Sequence, residues 1–217
     1  MSNHLARVLA IALLAGTVLL GAAAALHPVL RGDAASHLRI IAEAGHWRAV
    51  HFTMLLATAL VIAGLWVRLV VHRGPTATLL VALVIITVGL AIHSLNIAYM
   101  AGAGWQLATR FAAGEAAMAA LYDVTHPIGL MASRYGNLLV ALGAGVLGWA
   151  EWRDGNTPAF LAWLAWTAAL AGIAAVAAFH ESSPGIYAAV ALLSLWQVVT
   201  AGRTLRGGGD AAATRRP

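Results

Sequence analysis

Nine histidines are spread along this chain, and their order suggests a site more strongly than any contiguous motif does. Neutral imidazole ligates metal ions and haem iron, and its proton exchanges near neutral pH. Two pairs stand out once each turn is used as a ruler. His51 lies 23 residues before Gly74 and His93 lies 19 after it. At a helical rise of 1.5 Å per residue that is a depth mismatch of about 6 Å. His126 lies 28 residues before Asp154 and His180 lies 26 after it, a mismatch of about 3 Å on the same ruler.

Each pair implies a chemistry. Two imidazoles at equal depth on facing helices form a bis-histidine site, so His51 and His93 point to haem b and electron transfer. Arg48, Arg110 or Arg134 would then meet the propionates, and Asn96, Tyr99 or Asp123 would hydrogen-bond a quinol. Asn96 follows His93 by three residues and so shares its helix face. His126, His180, Asp123 and Glu181 supply two imidazoles and two carboxylates, a donor set for zinc, iron or copper in a metal-dependent membrane enzyme. The full set of candidate metal ligands is therefore His51, His93, His126, His180, Asp123 and Glu181. A third reading makes the chain an accessory subunit whose polar layer glues helices or binds other membrane subunits. His27, His37 and His46 read as interfacial residues bonded to water or headgroups.

Several chemistries are excluded. Lys is absent and all thirteen basic residues are Arg, which removes Schiff-base chemistry and a lysine nucleophile. Without Cys there is no disulfide, thiolate metal site, iron–sulfur cluster or covalently attached haem. No H-E-x-x-H or G-x-S-x-G element occurs. His46 and His51 are five apart, about 140° around a helix, so they do not chelate as a same-helix pair. No acidic residue falls inside an expected span and no inverted repeat is visible, which argues against a transporter.

The elements that carry these residues follow from composition. Hydrophobic residues make up 61% of the 217 positions and charged residues 10%, so the solvent is lipid. The chain reads as an all-α membrane bundle of six helices, at Val8–Leu26, Trp47–Val71, Thr78–Ala101, Ile128–Trp149, Phe160–Phe179 and Ile186–Ala201. Met1 precedes the first run, which is read as a retained helix although Arg7 and Ala23-Ala24-Ala25 resemble a signal peptide. Trp105–Tyr122 reads as an additional interfacial helix. Turns are expected at Arg73-Gly74-Pro75, Asp154–Pro158 and Ser182–Gly185. Residues 1–206 form one domain, and 207–217 a disordered cytoplasmic tail.

Eight Arg and three acids fall on the side of the termini, a net charge of +5, while five Arg and five acids cancel on the other. Both termini are therefore expected in the cytoplasm of a bacterial inner membrane, with the histidine layer facing outward. The arginines sit at helix ends rather than in a basic stripe, so nucleic acid is not an expected partner. Glu43–Leu69, with Trp47, His51 and Gly64-Leu65, followed by Pro158–Trp166 with Trp163-Leu164-Ala165-Trp166, resembles multi-pass bacterial membrane proteins of about six helices. That resemblance covers about half the chain and implies helix count and bacterial origin, but no activity.

Overall fold

The computed structural model describes residues 3–71, 76–154, 157–178 and 184–213, with side chains described through 188–206 in the last stretch. Its seven helices are α1 (Asn3–Leu26), α2 (Ala34–Glu43), α3 (Trp47–Val71), α4 (Thr76–Ala112), α5 (Ala117–Arg153), α6 (Ala159–Ala178) and α7 (Pro184–Ala213). All but the short α2 contain a stretch long and apolar enough to cross a bilayer. Their outward surfaces carry Ile11, Val18, Leu56 and Leu170, each more than half exposed. Water would drive such faces together, whereas lipid solvates them. The chain is a multi-pass membrane protein in which the start of α1 and the end of α7 lie at one end of the bundle, here called proximal; the opposite end is distal.

The six crossing helices form a closed ring, each neighbour in sequence packing on the next and α7 returning to α1. Lipid supplies no hydrophobic drive between helices, so association depends on close backbone approach. A side chain at Gly64 would stand 2.3 Å from the Leu13 nitrogen, so α1 and α3 touch backbone to backbone there. Gly136 does the same between α5 and α4, where an added Cβ would lie 2.6 Å from both the Gly89 oxygen and the His93 nitrogen. A buried hydrogen bond from Thr17 Oγ1 to Gln197 Oε1, 2.8 Å long, closes the α1–α7 seam.

Two helices depart from expectation. Both α4 and α5 have 37 residues, about 55 Å of helix against a hydrocarbon core of about 30 Å. Trp105–Tyr122 is thus no separate helix: it is the end of α4, a turn, and the start of α5. The turn has a specific cause. Gly114 takes a left-handed φ of +98°, its N–H bonds the Phe111 oxygen, and the Glu115 N–H bonds the Arg110 oxygen. This paired pattern is a Schellman motif, which terminates a helix most readily at glycine. An ion pair between Arg110 and Glu115 spans the same turn. The amphipathic distal helix is instead α2, started by Gly32 at φ +88° and by Asp33, whose carboxylate accepts the Ser36 N–H at 2.8 Å.

Within α4, Met100–Gly104 forms a π segment. Such a bulge reroutes the carbonyl ladder, and the Met100 oxygen accepts the indole N–H of Trp47 from α3 at 3.0 Å. Within α5, Pro127 sits in the helix interior and has no N–H for the Asp123 carbonyl one turn back. Helix α7 continues through Gly207-Gly208-Gly209 to Ala213, into the stretch expected as a tail.

Candidate distal histidine and aromatic cap

Measured from the proximal ends of α4 and α5, about 20 residues span a bilayer core, which reaches Asn96 and Ser133. Beyond that level lies a small second core of Leu38, Ile41, Trp47, Met100, Leu107 and Tyr122, separate from the main core. Helix α2 packs on the distal part of α4 and on α5 to close it. Five of the described histidines are arranged around this cap in two groups.

The first group joins α1 to α3. His27, just past the end of α1, has its ring 5.0 Å from that of His51 and 4.9 Å from Trp47, while Trp47 and His51 are 4.4 Å apart. His51 is 2% exposed, and its Nδ1 donates to the Trp47 carbonyl at 2.8 Å. His46 reaches back with Nε2 to the Leu26 carbonyl at 3.0 Å. Burial holds the His27 imidazole below its usual range, against a backbone hydrogen bond at Pro28 that favours the proton; nearby His46 lowers it further.

The second group joins α2, α4 and α5. Tyr122 and His126, one turn apart on α5, are stacked at 4.6 Å and 19°. His37 of α2 meets both edge-on, at 6.0 Å and 5.8 Å. Tyr99 of α4 lies nearly parallel to His126 at 6.4 Å, with its hydroxyl 2.7 Å from Thr125 Oγ1. Burial also lowers the His37 imidazole, partly opposed by Asp33. Two polar atoms of this group are buried without a hydrogen-bond partner, Tyr122 Oη and Asn96 Oδ1. Asn96 is pressed against Gly129, where a side chain would come within 2.5 Å of Oδ1.

The expected pairings come out differently. His93 is joined to Ser133 of α5, Nδ1 to Oγ at 3.1 Å, at the point where α4 and α5 touch through Gly136. No contact links His51 to His93 among the described residues. A haem held by both would need a slot for the macrocycle between their nitrogens, yet one ring is packed on Trp47 and His27 and the other is held at a helix–helix contact. The residues present do not fit a haem in that place. Arg48 is exposed and lies over the Phe52 ring at 5.5 Å rather than beside His51. Arg134 is half-buried and already has an interaction of its own. Asp123 is exposed on α5. His180 and Glu181 lie outside the described residues. Among the described residues, no group of three or more His, Asp or Glu is placed to hold a metal ion.

The chain matches no family model, no curated protein and no solved structure. The cap therefore has to be read from its own geometry.

A second polar cluster was missed from sequence. At the proximal end Arg68 donates from Nε and Nη2 to both oxygens of Glu151, at 2.6 and 2.7 Å, and from Nη2 to Thr157 at 3.0 Å; Asp154 lies at 3.5 Å. Arg68, Glu151 and Asp154 are 6%, 1% and 6% exposed. Glu151 was counted only as a charge on the side of the termini; it lies at that end of α5 but is buried against Arg68. A separate, partly open cleft of about 50 Å³ lies between α5, α6 and α7, lined by Val140, Ala144, Gly172, Ala175 and Leu193 with Asn137 as the polar side chain among them. None of the described histidines lines it.

Proposed function

We propose that the distal cap binds the headgroup of a lipid-soluble carrier of the quinone–quinol class, at the nest formed by His37, Asn96, Tyr99, Tyr122 and His126. The observation that carries this reading is a pair of buried polar atoms that find no partner, Tyr122 Oη on a ring stacked with His126 and Asn96 Oδ1 against Gly129. Buried polar groups are normally satisfied, and an exception calls for an explanation. A planar ring with an oxygen at each end supplies one. The Tyr122 hydroxyl donates to a quinone carbonyl, the Asn96 oxygen accepts from a quinol hydroxyl, and His126 and Tyr99 offer faces for stacking. Depth supports the same class, because such carriers place their polar ring near the edge of the hydrocarbon layer, the level of Asn96. The electron-transfer expectation thus narrows to a carrier-binding role, with no step assigned to haem.

The test is binding. Full-length protein in nanodiscs is titrated with decylubiquinone while tryptophan fluorescence is followed, since Trp47 and Trp105 belong to the cap. Saturable quenching is expected, weakened about tenfold in Tyr122→Phe, the effect of one lost hydrogen bond of about 1.4 kcal/mol. His126→Ala, which removes the stacking face, weakens it further. Quenching that rises linearly in wild type, or equal affinities in all three proteins, overturns the reading. A reduced-minus-oxidised spectrum of the same sample reports any haem b: Soret and α bands would replace carrier binding with the haem proposal.

A further inference from the structure

The first group of rings has a geometry of its own that the carrier nest does not use. We propose that His27 and His51 form a two-imidazole site for a divalent transition-metal ion of the zinc class, with solvent completing its coordination. The inference is independent of the carrier reading, because it rests on other residues and other helices.

Tautomer and spacing carry it. An imidazole whose N–H is held by a backbone carbonyl presents its lone pair at the other nitrogen, and metal-bound histidines are usually oriented in this way. His51 is held so by the Trp47 carbonyl at 2.8 Å. The His27 ring is only half-buried and lies beside that of His51, and burial lowers the proton affinity of its imidazole, which favours the neutral form that ligates. Nitrogen ligands sit at about 2.0–2.1 Å from zinc, so two imidazoles subtending a tetrahedral angle have ring centres about 5 Å apart. The observed separation is 5.0 Å.

The surroundings set the kind of ion. No carboxylate or third imidazole completes the group among the described residues, so the site keeps open positions of the sort zinc fills with water. The donors are neutral nitrogens, which suit zinc, copper and nickel and disfavour magnesium and calcium. His46 stands next to the site but is turned to the Leu26 carbonyl. Trp47 covers one side of the pair, which makes its fluorescence a local reporter.

The probe is Co²⁺, whose visible d–d bands intensify when it leaves its six-coordinate aqua form for a low-coordinate nitrogen site. Full-length protein in detergent should bind one equivalent with such bands, and Zn²⁺ should displace it. His27→Gln decides the matter, because His27 is only partly buried at a helix end and its loss does not threaten the fold. Binding should weaken at least tenfold in His27→Gln and in His51→Gln and persist in His37→Gln. Zn²⁺ should raise the thermal midpoint of wild type and leave that of His27→Gln unchanged, since a ligand stabilises only a state that binds it. Bands that survive in His27→Gln, or absence of any low-coordinate spectrum in wild type, overturn the proposal. Decylubiquinone titration of His27→Gln should match wild type, which separates failure of this site from failure of the carrier nest.

Discussion

The Arg68 cluster at the proximal end and the aromatic cap at the distal end both bury polar side chains, and these two clusters treat them in opposite ways. At the proximal end the Arg68 guanidinium is shared among Glu151, Asp154 and Thr157, and every short contact is internal to the protein. At the distal end Tyr122 and Asn96 have polar atoms with no partner, and His51 spends one nitrogen on its own helix. A saturated cluster can only hold helices together. An unsaturated one keeps capacity for something else, and its polar atoms add little to the fold. The contrast predicts that stability and binding map to different ends of the same helices.

The sharpest way to break the contrast is Glu151→Ala. It leaves a guanidinium buried with Asp154 as a longer contact, and removing one partner of a buried ion pair costs about 3–5 kcal/mol. Glu151→Gln keeps the volume and one acceptor and should cost less. The measurement is reversible unfolding in mixed micelles with increasing SDS. A loss below about 1 kcal/mol, the scale of an exposed pair, would mean that the proximal cluster is wet and that the two ends do not differ in kind.

An intermediate effect is expected from pH. His27 and His37 both lie outside the crossing segments and both have lowered proton affinity in the fold, chiefly through burial. The unfolded chain therefore takes up protons first as pH falls. Stability from these groups is fully present above about pH 6.5 and is lost as pH drops from there through the lowered folded values. Hydrogen exchange, corrected for its intrinsic rate, should speed up about threefold in α2 and around Trp47 between pH 7.5 and 5.5, with the proximal ends of α3 and α5 unchanged. Equal acceleration at both ends would assign the effect to the detergent or to global loosening.

Much of this architecture was legible in sequence. Apolar runs of about 20 residues identify crossing helices because lipid permits little else. Ends were less legible: the fourth span was expected to start at Ile128, yet α5 begins at Ala117 and runs through Pro127, because a proline removes only one hydrogen bond from an otherwise supported helix. Gly114 was the usable signal, as the left-handed residue that ends α4. Among the described histidines depth favours one end, whereas the partners differ from those expected: rotation about each helix axis decides whether His51 meets His93 or His27, and apolar faces all round leave that rotation unmarked. The burial of Glu151 was missed for a related reason. A charge near a helix end reads as interfacial, and its partner Arg68 is 83 positions away.

The smallest stability effect is the most diagnostic. Tyr122 is 1% exposed, yet its hydroxyl has no partner, so Tyr122→Phe removes a buried polar atom and keeps the ring that stacks on His126. Deleting a satisfied buried hydroxyl costs about 1 kcal/mol, while deleting an unsatisfied one is neutral or stabilising. Unfolding free energy should change by less than about 0.5 kcal/mol, although the same substitution weakens decylubiquinone about tenfold. Loss of 1 kcal/mol or more would reveal a hydrogen bond made within the protein, and the distal cap would then join the proximal cluster as scaffold. Unchanged stability with unchanged quenching would separate the spare hydroxyl from the carrier and leave the two-imidazole pair as the chemistry of this end.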